Sequence, residues 1–187
     1  MIDKLAFELI EREKQLGRDT DGIIRVESGL GASGIPHIGS LGDAVRAYGI
    51  KLALENLGYK SELIAYSDDL DGLRKIPEGL DVKEENIGRR VSAIADPLCD
   101  EHDSYGEHMS SLLLDGLNIL GIEYEHKTAS QTYKDGLLTE QIHKILVNDK
   151  KIGDKIEELT GQSKFQTALP YFPECHSCTK LYTTESF

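Results

Sequence analysis

The chain is poor in positive charge. Lys and Arg total 21 against 33 Asp and Glu, a formal net charge of -12. That is a weak electrostatic footprint for a protein that wraps nucleic acid with this surface alone, although it leaves room for local basic patches. No apolar run approaches membrane-spanning length, and the opening MIDKLAFELIEREKQLG is charged and amphipathic rather than a signal peptide, so the expected location is the cytoplasm, with no membrane partner. There are only three cysteines, Cys99, Cys175 and Cys178; an odd number without a secretion signal argues against a disulfide framework. Internal repeats and low-complexity tracts are absent, which excludes solenoids and disordered tails. What is left is 187 residues of ordinary globular composition, enough for one cored domain with a small appendage.

Periodicity organises that domain. Residues 3–16 carry apolar positions at helical spacing, and Gly17 is a stop; residues 23–27 (IIRVE) read as a buried strand. The segment 29–34 is a glycine-rich loop, about 39–57 a helix ended by Gly58, and 61–66 (SELIAY) a second strand. Strand, loop, helix and strand in this order form a βαβ unit with parallel strands and a right-handed crossover. Further helices are expected over 84–95, 105–120, 133–147 and 149–159, with a short strand over 122–126. From Ala168 the character changes to prolines, cysteines and β-prone residues. The predicted architecture is α/β: a Rossmann-like parallel sheet with helices on both faces and a helical insertion over 1–167, and a zinc-knuckle-like element over 168–187.

The loop is the first chemical signal. Gly29, Gly31 and Gly34 lie between a strand and a helix start, where backbone N–H groups and the helix dipole favour an anion. A Walker loop is ruled out by Ile35 and Pro36 where Lys and Ser/Thr would stand. A dinucleotide fingerprint fits the three glycines but leaves Pro36-His37-Ile38-Gly39-Ser40 unexplained. By itself His37 is also compatible with an ordinary loop histidine and Ser40 with a helix cap. After the second strand come Asp68, Asp69 and Asp71, at the carboxyl end of a parallel strand where open α/β sheets bind ligands. Three carboxylates in four residues repel one another unless a cation is near, though a solvated turn neutralised by Arg74 and Lys75 is the plainer reading.

Two more clusters have metal-ligand chemistry. Asp96, Cys99, His102 and His108 offer one carboxylate, one thiolate and two imidazoles, a set that suits tetrahedral zinc; a buried cysteine with surface histidines is the alternative. Cys175 and Cys178 are C-x2-C in a turn, half of a zinc knuckle, with a redox motif as the weaker reading because extended residues flank it.

Taken together, "SGLGASGIPHIGS" and "SDDLDGLRKIP" resemble the class I lysyl-tRNA synthetases, mostly archaeal, and "ADPLCDEHDSYGEHM" resembles a third segment of that family. The resemblance runs through the whole chain in order. It implies a Rossmann fold that binds ATP at Ser33, Gly34, His37, Gly39, Ser40 and Asp43, with His37 and Ser40 stabilising the charge of adenylate formation. Lysine is implied at Gly29, Asp68, Asp69 and Asp71, Mg2+ with the ATP, and Zn2+ at the Asp96 cluster and at Cys175 and Cys178. tRNA(Lys) is the implied macromolecular partner, held mainly by further domains.

Departures from the family pattern are specific. Ser40 replaces a second histidine and cannot carry charge. Gly31 and Ala32 stand where relatives often have Thr-Pro. The spacing from Asp-Pro to the first histidine is one residue longer. A Lys-Met-Ser-Lys-Ser-like loop, which the family uses to stabilise the leaving pyrophosphate, does not occur, nor does a second C-x2-C. The expectation from these is an N-terminal portion of a synthetase, with little adenylate formed by residues 1–187 alone. Two other functions share parts of the pattern: another class I synthetase-like nucleotidylyltransferase, for glutamate or a small metabolite, and an ATP-binding α/β module without catalysis.

Overall fold

A computed structural model describes residues 1–169 and 171–184. Of the C-terminal element expected over 168–187, Pro170 and residues 185–187 lie outside the described residues.

Helix α1 (Ile2–Gln15) leads into strand β1 (Ile24–Leu30), helix α2 (Ile38–Asn56) and strand β2 (Ser61–Ser67). Then follow α3 (Tyr105–Ile119), β3 (Glu125–Thr128), α4 (Ala129–Lys134), α5 (Thr139–Val147) and α6 (Asp149–Thr160). The three strands are parallel in the order β1-β2-β3, with Val26 opposite Leu63, Ser28 opposite Ala65 and Ala65 opposite His126. Among the described residues no helix is long and apolar enough to cross a membrane.

Registered positions of parallel strands share a face, so Val26, Leu30, Leu63 and Ala65 form one apolar surface. Ala6 and Ile10 of α1, Ala44 and Leu54 of α2, and Leu113 and Leu117 of α3 all pack into that same cluster. Helices α1, α2 and α3 therefore gather on one face of the sheet. The reason is topological: both crossovers step in one direction, β1 to β2 to β3, and right-handed crossovers of one direction deliver their helices to one side. The opposite face of β1 carries Arg25, Glu27 and Gly29, all exposed. Arg25 there pairs with Glu62 of β2.

Glycine sets the other differences from expectation. No α-helix forms over 84–95. Gly88 turns the chain at φ 87, its N–H donates to the Leu73 carbonyl at 2.7 Å, and Gly72 bridges Arg90 antiparallel. Only short 3-10 turns remain there, Glu84–Asn86 and Val91–Ala93. Residue 122 belongs to the end of α3: Gly121 has φ 66, and the Ile122 N–H returns to the Leu117 carbonyl at 3.0 Å, so the strand begins only at Glu125. The expected helix over 133–147 is divided by Gly136 at φ 71.

A second core, built of Ala32, Leu73, Val82, Val91, Ile94, Tyr105 and Met109, sits beyond the carboxyl ends of β1 and β2. It joins the glycine loop, the 72–94 segment and the start of α3. That junction positions the candidate site.

Candidate active site

Strand β1 delivers the glycine loop to the top of the sheet, and the Asp68 N–H donates to the Leu30 carbonyl at 3.0 Å, tying the ends of the first two strands together. The loop is pinned rather than free. Ala32 is fully buried in the second core, and the Tyr105 hydroxyl donates to the Ser33 carbonyl at 3.3 Å. An alanine at position 32 thus serves packing.

His37 is the N-cap of α2, in extended conformation, and its Nδ1 accepts the Gly39 N–H at 3.0 Å. That bond decides the tautomer: Nδ1 is the acceptor, so the proton resides on Nε2, which remains available to a ligand. Gly39 is required beneath the ring, since a Cβ there would lie 2.7 Å from His37 Cε1. The first turn of α2 holds no acidic residue, so its dipole meets no side-chain carboxylate, and only the Gly39 N–H is capped by a side chain. Ser33, Gly34, Gly39 and Ser40 surround this end. Asp43 lies a turn further on and is exposed, engaged with Arg46 at 3.0 Å.

The three aspartates separate sharply. Asp69 is 7% exposed and committed to the fold: it accepts the Ser130 N–H at 2.8 Å and the Ser130 hydroxyl, which fixes the start of α4 beside β3. Asp68 faces the other way, over Gly29, where a Cβ would stand 3.4 Å from its Oδ2. Burial, then the neighbouring charges of Asp71, Glu27 and Asp69, push its carboxyl up to about 6. Asp71 is exposed, and its carbonyl accepts the Val91 N–H at 2.9 Å.

Asp68 and Asp71 open onto a cavity of about 730 Å³ whose other walls include Tyr66, Tyr133, Phe172 and Tyr182. Arg90, also in its lining, is neutralised by an ion pair with Glu174. The cavity thus combines aromatic walls with carboxylates. Sequence reasoning found the carboxylates and missed the aromatics. Tyr66 alone had a local signal, two residues before Asp68 on the same face of the strand; Tyr133 and Tyr182 come from distant segments.

The four ligand candidates of the Asp96 segment converge. One ligand atom from each of Asp96, Cys99, His102 and His108 lies within 4.8 Å of the others. Cys99 Sγ is 3.1 Å from Asp96 Oδ2, 3.1 Å from His102 Nδ1 and 3.4 Å from His108 Nδ1. The turn is closed by the Leu98 N–H donating to Asp96 Oδ1 at 2.9 Å, and α3, capped by Ser104, brings His108 in on its first turn. Burial pushes the Asp96 carboxyl up, but hydrogen bonds from His108, Cys99 and the Leu98 N–H outweigh it and hold it down at about 2. The same bond to Asp96 pushes the Cys99 thiol up. A carboxylate, a thiol and two imidazole nitrogens at these separations fit a tetrahedral ion, which would take the place of the shared protons.

Cys175 and Cys178 lie in a turn closed by the Thr179 N–H donating to the Cys175 carbonyl at 2.8 Å. Among the described residues no carboxylate, histidine or further cysteine completes a set with them; the Asp96 group is the one that forms. Among the described residues the zinc-knuckle-like element is not shown beyond this turn.

Comparison with known proteins identifies the family. Residues 2–186 match the family described as tRNA synthetases class I (K). The chain is 64% identical over 187 residues to a Lysine--tRNA ligase of Cenarchaeum symbiosum, covering 99% of this chain and 35% of that protein. It is 34% identical over 162 residues to a Lysine--tRNA ligase of Archaeoglobus fulgidus, covering 86% of this chain and 32% of that protein, and 33% identical over 164 residues to one of Rickettsia bellii. The chain thus spans about a third of the length of the curated relatives it matches. With a family match running from residue 2 to residue 186 and the signature loop standing at the mouth of a parallel sheet, this chain belongs to the class I (K) tRNA synthetases.

Proposed function

We propose that this chain forms the nucleotide- and amino-acid-binding part of a cytoplasmic lysine–tRNA ligase. ATP and lysine are the small substrates and tRNA(Lys) is the acceptor, engaged mainly by other parts of the protein. The observation that carries this reading is the pairing of two opposite environments at one sheet end. The carboxylate-free N-terminus of α2 with His37 suits a triphosphate; the aromatic cavity with Asp68 suits an aliphatic ammonium.

In the first half-reaction a lysine carboxylate oxygen attacks the α-phosphorus of ATP, a new P–O bond forms, and the bond to pyrophosphate breaks. Charge builds on the phosphoryl oxygens. His37, with Nδ1 tied to Gly39, presents Nε2–H to them, and Ser40 adds a neutral hydroxyl. Ser33, Gly34 and Gly39 admit the nucleotide close to the backbone, with the adenine near Gly39 and Asp43 and the triphosphate toward His37. Gly29 leaves room for the lysine beneath Asp68, while Asp71 adds negative field at the rim and Asp69 acts by holding α4. Mg2+ accompanies the ATP. Asp96, Cys99, His102 and His108 would hold zinc, which would supply a structural link; these residues stand at the start of α3, on which Tyr105 and hence the glycine loop rest. Cys175 and Cys178 would supply half of a second site. We also read 1–167 as the nucleotide-binding domain and 168–187 as the start of a zinc-ribbon-like insertion.

The test is lysine-dependent ATP–pyrophosphate exchange by the full-length protein. His37→Ala should lower it by a factor on the order of 10² to 10³, as for loss of one preorganised donor. Unchanged exchange in that variant rejects the assignment. Exchange that depends on glutamate instead of lysine favours the other nucleotidylyltransferase reading.

A further inference from the structure

Residues 31–36 carry the chain from the end of β1 to the His37 cap. Strand pairing stops at Leu30, and helical bonding starts at His37, whose carbonyl accepts the Leu41 N–H at 3.2 Å. Among the described residues no backbone hydrogen bond involves the six positions between them. One side-chain hydrogen bond reaches them, from the Tyr105 hydroxyl to the Ser33 carbonyl at 3.3 Å. A Cβ added at Gly31 or at Gly34 would meet nothing within 4 Å, so neither glycine is explained by packing. The loop is held by the buried Ala32 and by this one bond.

Tyr105 is a firm anchor for it. The residue has no exposed surface and packs with Ala32, Val91 and Met109 in the second core. Its N–H donates to the Ile94 carbonyl at 2.8 Å, and Gly106 beside it stands so close to Val91 that a Cβ would not fit. Burial pushes the phenol above its ordinary value, so the hydroxyl stays protonated and donates.

A trans peptide is planar, and its C=O and N–H point in opposite directions. The Ser33 carbonyl is drawn toward Tyr105, so the N–H of Gly34, in the same peptide, is turned away from it. That N–H has no partner among the described residues, and the loop it belongs to leads into the N-terminus of α2, where an anion is favoured. We propose that Tyr105 is a positioning residue for the nucleotide: by holding the Ser33 carbonyl it fixes the 33–34 peptide and offers the Gly34 N–H to a phosphate. The inference rests on the proposed ATP site and adds to it a residue that touches neither substrate. Without the hydroxyl the peptide is free to turn, and the donor has to be ordered each time ATP binds, a cost that falls on ATP and not on lysine.

Lysine-dependent ATP–pyrophosphate exchange by the full-length protein, with ATP and lysine varied in turn, tests this. Tyr105→Phe keeps the ring and removes the bond. It should raise the KM for ATP by about three- to tenfold, the scale of one hydrogen bond, and leave the KM for lysine in place. Val82→Ala thins the same core without touching the bond; it should lower the melting temperature and leave the KM for ATP unchanged. An unaltered KM for ATP in Tyr105→Phe, or an equal rise in both variants, overturns the inference and leaves the ATP site standing. Wild type that supports no exchange overturns the site and the inference with it. A second readout needs no substitution: in wild type labelled at tyrosine, the Tyr105 hydroxyl proton should exchange slowly enough to be seen by NMR, and a freely exchanging proton overturns the inference.

Discussion

His108 Nδ1 lies 2.6 Å from Asp96 Oδ2, with both side chains withdrawn from solvent. The bond joins the first turn of α3 to the loop before it, beside the Tyr105 N–H that donates to the Ile94 carbonyl at 2.8 Å, and the Cys99 thiol completes it from the same turn as Asp96. One carboxylate oxygen, Asp96 Oδ2, serves two side-chain donors. A divalent ion would replace those protons and use all four groups.

The chain should therefore bind about one zinc per molecule at this cluster and gain thermal stability on doing so. Metal stoichiometry by elemental analysis should fall to near zero in Cys99→Ser and stay near one in Cys175→Ser. Thiolate and neutral imidazole must both form, so affinity should drop as the pH falls below the ordinary histidine value, about 6.5. Zinc lost only in Cys175→Ser would reverse the assignment of the two clusters.

The pH dependence of the metal-free chain follows from two carboxyls shifted in opposite directions. Asp96 is lowered to about 2, so the folded state favours its charged form; that contribution is complete above the ordinary value of 3.8 and is lost as pH falls toward 2. Asp68 is raised to about 6, so folding disfavours its charge; stability declines as pH rises from 3.8 to about 6 and then levels. Asp68→Asn should remove the second slope, leaving the protein more stable than wild type at pH 7. Urea denaturation at closely spaced pH values reads both effects. A flat wild-type profile over the Asp68 window contradicts its placement.

Lysine binding should carry the mirror image of that slope. An ammonium beside Asp68 favours the carboxylate, so affinity should increase through the same window and reach a plateau above about pH 6. Calorimetric titration in buffers of different ionisation heat should detect proton release near pH 5. Asp68→Asn should weaken binding and abolish the proton release, while Asp69→Asn should lower stability first, because Asp69 holds Ser130.

His37 has two separable tasks, and two substitutions divide them. His37→Asn offers an oxygen close to the Nδ1 position, so the cap on α2 and the melting temperature should be nearly retained while pyrophosphate exchange falls. His37→Gln reaches toward the Nε2 position but is a poor cap. It should lose about 1 kcal/mol of stability and keep more of the exchange activity. Equal loss of both properties in the two variants would mean the tasks are not divided between the ring nitrogens.

Gly106 is the tight point between α3 and the second core. A Cβ there would lie 2.8 Å from Val91 Cγ2 and 3.1 Å from the Val91 carbonyl carbon, and backbone cannot give way as a side chain can. Gly106→Ala should destabilise the fold by about 1 to 3 kcal/mol and weaken zinc binding as well, since His108 rides on the same turn. Denaturation and zinc titration on one preparation check the coupling; reduced stability with unchanged zinc affinity would show that α3 yields locally.

Much of the molecule was decided by residues close together in the chain. Helices α1, α2 and α3 and strand β2 fall within a residue of where apolar spacing puts them, because periodicity and left-handed glycines such as Gly17, Gly58 and Gly121 act over a single turn. The ligand set of Asp96, Cys99, His102 and His108 was legible for the same reason: all four lie in one short segment. What the sequence could not decide depends on contacts between distant segments. The 84–95 stretch has the composition of a helix, yet its bridge to Gly72 and the turn at Gly88 leave only short 3-10 turns. Asp68 and Asp69 are adjacent and chemically identical, and a strand end sends neighbours to opposite faces, so one enters the cavity while the other is captured by Ser130. Which aromatic rings face Asp68 depends on where residues 133, 172 and 182 return in space. That α1, α2 and α3 share one sheet face follows from strand order, a property of the assembled sheet that no local pattern contains.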